Sequence, residues 1–333
     1  MKFIPLLFLA VPLLAADPLP SGPGLAAKYP GDVGIERDPK VVQVEQFEQA
    51  DITTLAAQWE TVGGKEGLSF TGEVPAGSGG RQSLLMDRQS GSGGSLYRRL
   101  RNPSGGFGYD QIFARYYVKF AEDCAELHHF GPCLGGNLPA TSWPSVKAGF
   151  RTDGAKSFWS GIEPFGKAWT WDFYTYWCGM QGSPPRGQTW GNSFIRDPAL
   201  AVAKGRWICV EQMIRMNDVG DSNGEQALWL DGKLVAHLGK GFPMGRWIFD
   251  KFEPGKGGHS VRWNEEKQDR ETIPVPAGGA PFEGYRWRTV PELNINYVWL
   301  YTYTEKPAGH RIRVWYDDVV VATAYIGPLT AKP

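Results

Sequence analysis

Short strand-like runs of apolar and polar residues recur along the chain, and one alternates clearly with a period of two. In WDFYTYWC (171–178), Trp171, Phe173, Thr175 and Trp177 fall on one side, and Asp172, Tyr174, Tyr176 and Cys178 on the other. Side chains two apart share one face of a strand, so this run predicts a strand with an apolar core face and a polar-aromatic outer face. Comparable runs are VVQVEQF (41–47), GLSFTGEV (67–74), RQSLLMD (81–87), GSLYRRL (94–100) and YDQIFARYYVKF (109–120). FWSGIEPF (158–165), RWICVEQMIRMN (206–217), EQALWLDGKLVAHL (225–238), NINYVWLYTYT (294–304) and RIRVWYDDVVVATAYIG (311–327) follow. Most are bounded by Gly, Pro, Asn or Asp, the residues that break strands into turns. Asp231-Gly232 marks a tight hairpin turn. One short helix is expected, at DPALAVAKG (197–205). Many strands without repeats predict an all-β fold, an antiparallel jelly-roll sandwich over residues 41–328. Residues 242–292, polar and turn-rich, are expected to leave the sandwich as a long loop excursion.

The ends read differently. MKFIPLLFLAVPLLAA has a lysine, an apolar run and small residues at its close, the pattern of a signal peptide cleaved after Ala16. A secreted or periplasmic location follows. Residues 17–40 are rich in Pro and Gly and read as a linker or N-terminal arm. No later apolar run is long enough to cross a bilayer, so no membrane partner is expected. The 35 basic and 35 acidic residues cancel and no nucleic-acid motif occurs, which argues against nucleic acid as a partner. A monomer is expected. Export and an even count of cysteines predict at least one disulfide among Cys124, Cys133, Cys178 and Cys209. Cys124–Cys133 is the preferred pair and Cys178–Cys209 would join two strands. Buried free thiols are the competing reading. Zinc is disfavoured because no C-x-x-C spacing exists.

Several motifs keep a familiar order across roughly residues 110–235. They are RYYVKF, GGNLP (135–139), WSGIEPF (159–165), FYTYW (173–177), GRWICVEQMIRMN (205–217) and NGEQALWLDG (223–232). In this order the chain resembles the concanavalin-like jelly-roll polysaccharide lyases, closest to the alginate-lyase-like family fourteen. The resemblance implies a uronate-containing acidic polysaccharide as substrate and β-elimination as the reaction. It matches Tyr174 and Tyr176 to the family's tyrosine pair and Ser160 to its serine. The family's lysine in the Gly-rich loop is replaced by Asn137, and its arginine by Ile162.

β-Elimination needs a base for the C5 proton, an acid for the leaving O4 and donors for the carboxylate. Tyr176, ahead of Tyr174, is the candidate for proton transfer. His128 and His129, in CAELHHFGPCLGGNLP, suit proton transfer near neutral pH. Asn137, Ser160, Arg151, Lys147 and Gln181 are candidates for binding substrate, with Arg151 and Lys147 as replacement positive charge. A non-catalytic carbohydrate-binding protein is the alternative. An Arg or Lys within reach of Tyr174 would favour the lyase, and a groove without one the binder. A glycoside hydrolase is disfavoured, because Glu163 stands without a paired acid. No cofactor is required; Asp317 and Asp318 are candidates for a structural calcium, against a solvated strand edge.

Overall fold

The alternating segments form strands that pair antiparallel in two stacked sheets. The computed structural model describes residues 18–89, 91–166, 168–183, 186–264, 266–304 and 309–331. The expected signal peptide lies outside the described residues. In chain order the first strands are β1 (Val41–Glu45), β2 (Thr61–Gly63), β3 (Leu68–Thr71), β4 (Ser83–Arg88), β5 (Gly91–Arg99) and β6 (Gln111–Phe120). Next are β7 (His129–Phe130), β8 (Cys133–Asn137), β9 (Ser157–Phe165), β10 (Thr170–Tyr176), β11 (Trp207–Arg215), β12 (Glu225–Leu230) and β13 (Lys233–Leu238). The last are β14 (Met244–Ile248), β15 (Lys251–Pro254), β16 (Gly258–Asn264), β17 (Asp269–Val275), β18 (Ala280–Pro281), β19 (Tyr297–Thr304) and β20 (Ile312–Ala322).

One sheet runs β13-β12-β11-β6-β20-β4-β3, with β1 added to β20. The other runs β10-β9-β8-β19-β5-β2, with β7 added to β19. Between them lies one apolar core that includes Leu84, Leu96, Tyr116, Phe158, Trp171, Phe173 and Leu300. Each such side chain withdrawn from water contributes roughly 1.5–3 kcal/mol, which is what the alternation encodes. The Asp231-Gly232 turn joins β12 to β13 with both residues in the left-handed region. The helix expected at 197–205 is a single 3-10 turn, Pro198–Leu200.

β6 is buried on nearly every residue, as are β11 and β20. The reason is the N-terminal segment, which forms 3-10 turns at Leu25–Lys28, Pro30–Asp32 and Ile35–Arg37 and lies on the outside of the first sheet. Ala26 and Ile35 pack there in one cluster with Phe113, Met213 and Trp229. The indole of Trp229 donates to the Pro20 carbonyl at 2.8 Å. A Cβ at Gly24 would meet the Ile326 backbone at 2.5 Å, so glycine lets the arm approach. Proline-rich sequence without periodicity thus forms a pinned arm rather than a loose linker.

The 242–292 segment is more ordered than a loop. β14, β15 and β18 form a three-stranded sheet, and β16 pairs with β17. Its end carries Phe282, Tyr285 and Trp287, fully buried, back into the core. Its charges pair among themselves and with neighbours: Lys251 with Asp250, Lys256 with Asp197, Glu253 with Arg196.

Candidate active site

The second sheet turns its other face outward. Residues directly opposite in a ladder share a face. Tyr174 is opposite Gly161, Tyr176 opposite Trp159, Cys133 opposite both Gly161 and Trp299, and His129 opposite Tyr303. These positions therefore lie together. Tyr174, Tyr176, Trp159, Trp299, His129 and Tyr303 floor a cleft of about 300 Å³, walled on one side by Trp143, Pro144, Val146 and Ala148.

The two phenols are neighbours, with hydroxyls 3.5 Å apart. Burial raises the Tyr174 hydroxyl well above the ordinary phenol range, and the Tyr176 phenol beside it adds to the rise. Burial raises Tyr176 as well. Both are protonated near neutral pH, so each is a proton donor and not a ready phenolate base. The ring of Tyr174 lies against Gly191, where a Cβ would come within 2.6 Å of it. Asn192 sets that contact. Its side chain accepts from the Gln181 amide at 2.9 Å and donates to the Gln181 carbonyl at 3.0 Å, while its backbone pairs with Thr175.

His129 meets the same floor. Its ring lies 4.8 Å from that of Tyr174 and stacks on Tyr303 at 6.0 Å. Behind it, Glu163 Oε2 stands 3.4 Å from His129 Nδ1, at ion-pair distance but not aligned as a hydrogen bond. The carboxylate is nearly sealed from solvent and also accepts from the Phe130 amide at 3.2 Å. A carboxylate on Nδ1 leaves Nε2 as the ring's remaining basic atom.

The other expected site residues divide. His128 is exposed beside His129, with ring centroids 4.3 Å apart. Lys147 and Arg151 are exposed on the loop that walls the cleft; Lys147 falls between the lining residues Val146 and Ala148, and neither basic residue lines the cleft itself. Gln181 holds the adjoining loop through Asn192 and does not line the cleft. Asn137 is buried, and its amide is spent. It donates to Tyr97 Oη and the Trp143 carbonyl, each at 3.2 Å, and accepts from Ser145 N and Oγ. It holds the wall loop in place and has no donor left for a carboxylate. Ser160 points into the core, bonded to Thr175 Oγ1 and Gln226 Oε1 at 2.8 Å. The alternation that puts Tyr174 outward puts Gly161 and Glu163 outward too, and turns Ser160 inward.

The disulfide expectation is overturned: all four cysteines are free. Cys133 faces the cleft side of β8, beneath Gly161, whereas Cys124 sits in the turn after β6 with Sγ 3.6 Å from the Ala125 carbonyl. Cys209 lies on the arm side of the first sheet beside Tyr117, and Cys178 lies beside Gly154 near the second. Asp317 and Asp318 are not a solvated edge but fully buried beneath the arm. No three ligating side chains converge there among the described residues. The Arg115 guanidinium already lies in this group, ion-paired with Asp32. Burial and the Asp318 charge push the Asp317 carboxyl up to about 10.

Trp159, Trp299, Tyr301, Tyr303 and Glu163 are site residues that the sequence reading left unassigned. The signal existed in VWLYTY, where Trp299, Tyr301 and Tyr303 alternate with core residues. What the sequence lacked was the register that lays this strand beside β7 and β8.

No family model and no curated protein matches the chain. Solved structures do. A substituted form of the alginate lyase Aly36B with an alginate tetrasaccharide has a TM-score of 0.52 at 13% identity, covering 87% of this chain and 99% of that one. A second, with an alginate trisaccharide, has 0.50 at 12% identity, covering 86% and 100%. The marine PL-14 alginate lyase from Aplysia kurodai has 0.49 at 12% identity, covering 85% and 99%. The chain has the jelly-roll fold of these polysaccharide lyases, as its motif order implies. No helix among the described residues is long and apolar enough to cross a membrane.

Proposed function

We propose that the protein is an exported polysaccharide lyase that breaks a uronate-containing glycan by β-elimination in this cleft. The observation that carries the reading is the His129–Glu163 pair set against two protonated phenols on an aromatic floor. His129 Nε2 takes the C5 proton. The C5–H electrons form the C4=C5 double bond and the C4–O4 bond breaks. Tyr176 gives its phenolic proton to O4, with Tyr174 donating to the substrate or to the Tyr176 oxygen. Glu163 is a positioning residue that favours the useful tautomer and the charged imidazole that forms. Turnover is complete when the imidazolium proton returns through solvent to the phenolate.

The test is the ultraviolet absorbance of the unsaturated uronate on a panel of polyuronates. His129→Ala and Tyr176→Phe should each lower the rate roughly 10²–10⁴-fold while the melting temperature holds. Full activity in both would remove the mechanism. A second reading, a carbohydrate-binding protein without turnover, is favoured by the lack of lysine or arginine among the described lining residues. Binding without any unsaturated product in the parent protein would establish it.

A further inference from the structure

The cleft is poor in charge and rich in indole. Three tryptophans, four tyrosines and one histidine line it, with no lysine, arginine, aspartate or glutamate among the described residues. At its floor stands His129, with the Glu163 carboxylate behind it. A homopolymeric uronate would bring a carboxylate into the cleft at every sugar. One can accept from the Tyr174 phenol. Its neighbours would lose hydration against indole, with no lysine or arginine among the described lining residues to offset the loss.

Neutral sugars meet the opposite conditions. Their C–H faces pack on aromatic rings, while their hydroxyls reach phenol and indole polar atoms. Such platforms stand on both sides of the His129–Tyr174–Tyr176 position. Toward β19, Trp299 stacks on Tyr301 with centroids 4.0 Å apart, and Trp143 meets Trp299 at 5.2 Å. Trp143 is 48% exposed there. Beyond the β10 edge, Trp190, 42% exposed, adjoins the Gly191 that supports Tyr174, and Phe150, 66% exposed, follows Gly149, which pairs with Thr189. Large exposed apolar rings beside a cleft mark a binding surface.

We propose that the substrate is a mixed glycan in which a uronate is flanked by neutral sugars, in preference to a homopolymeric uronate. This rests on the reading of the cleft as a sugar site. The experiment compares the full chain on deacylated gellan and a rhamnogalacturonan backbone with polyglucuronate and polymannuronate. Turnover on a mixed polymer should exceed that on both homopolymers by about tenfold or more, a difference of 1.4 kcal/mol. Equal or faster turnover on a homopolymer overturns the proposal. If no polymer is cleaved, the elimination reading fails, and calorimetry with oligosaccharides of each polymer decides this one. Preference for the mixed oligosaccharides supports it; preference for the homopolymers, or binding of neither, overturns it. Affinity should change little between about 0.1 and 1 M salt, since stacking is not screened. Trp143→Ala and Trp190→Ala, both on exposed rings, should raise KM or Kd for the mixed glycan about tenfold with kcat kept. Unchanged values in both variants count against it.

Discussion

The outer faces of the two sheets handle polar groups in opposite ways. Under the N-terminal arm, Arg115, Asp32, Glu211, Asp317 and Asp318 are shut from solvent. Most of their bonds go to the fold itself: Arg115 to Asp32, and Glu211 to the amides of Ile326 and Gly327 at 2.8 Å. Across the molecule, the cleft has few charges, and His129 is left partly open to solvent with Glu163 behind it. Burial depth alone therefore does not mark a functional group. The arm face uses its charges to pin a segment without strands, whereas the cleft keeps one partly open imidazole beside two largely buried phenols that line it.

That contrast makes opposite demands on mutants. Arg115→Ala should cost about 3–5 kcal/mol of stability, because it strands buried carboxylates, while the folded fraction keeps its kcat. Denaturant unfolding and turnover per folded molecule measure the two. A loss of kcat with unchanged stability would break the comparison. Gly191→Ala should act on the other face. Its Cβ would collide with the Tyr174 ring, at a cost of about 1–3 kcal/mol, and displace the phenol, so activity should fall with stability.

A subtler effect comes from pH. Burial pushes Glu211 up to about 7, and burial with the Asp318 charge pushes Asp317 up to about 10. In the unfolded chain both acids release their protons near about 4. Between those values the folded state binds more protons than the unfolded one, so stability is greatest below the unfolded value and falls as pH rises. The melting temperature should decline from about pH 5 to about pH 8. Asp317→Asn, which mimics the protonated acid, should flatten part of that decline. A melting temperature that rises with pH over this range would place the ionised forms under the arm. The smallest effect is expected from reduction. With four free thiols, dithiothreitol should leave the melting temperature unchanged, and a clear drop would reveal a bridge.

The sequence by itself determined the strands, because a period of two with apolar residues on one side has one low-energy solution. WDFYTYWC placed Trp171 and Phe173 on the core face and Tyr174 and Tyr176 on the opposite, cleft-lining face without any knowledge of their neighbours. It also pointed to the fold, since the motif order reflects the strand order. Tertiary structure decided the rest. Ser160 and Glu163 lie on one strand, but only the pairing of β9 with β10 shows that Glu163 shares the tyrosines' face. Asn137 looked like a free donor until Tyr97 and the wall loop together took up its whole amide. The cysteine count was compatible with a bridge, but a bridge needs sulfurs on facing surfaces, and the sheets put these on different ones. Local pattern fixes which way a side chain points; what it meets there depends on strands far away in the chain.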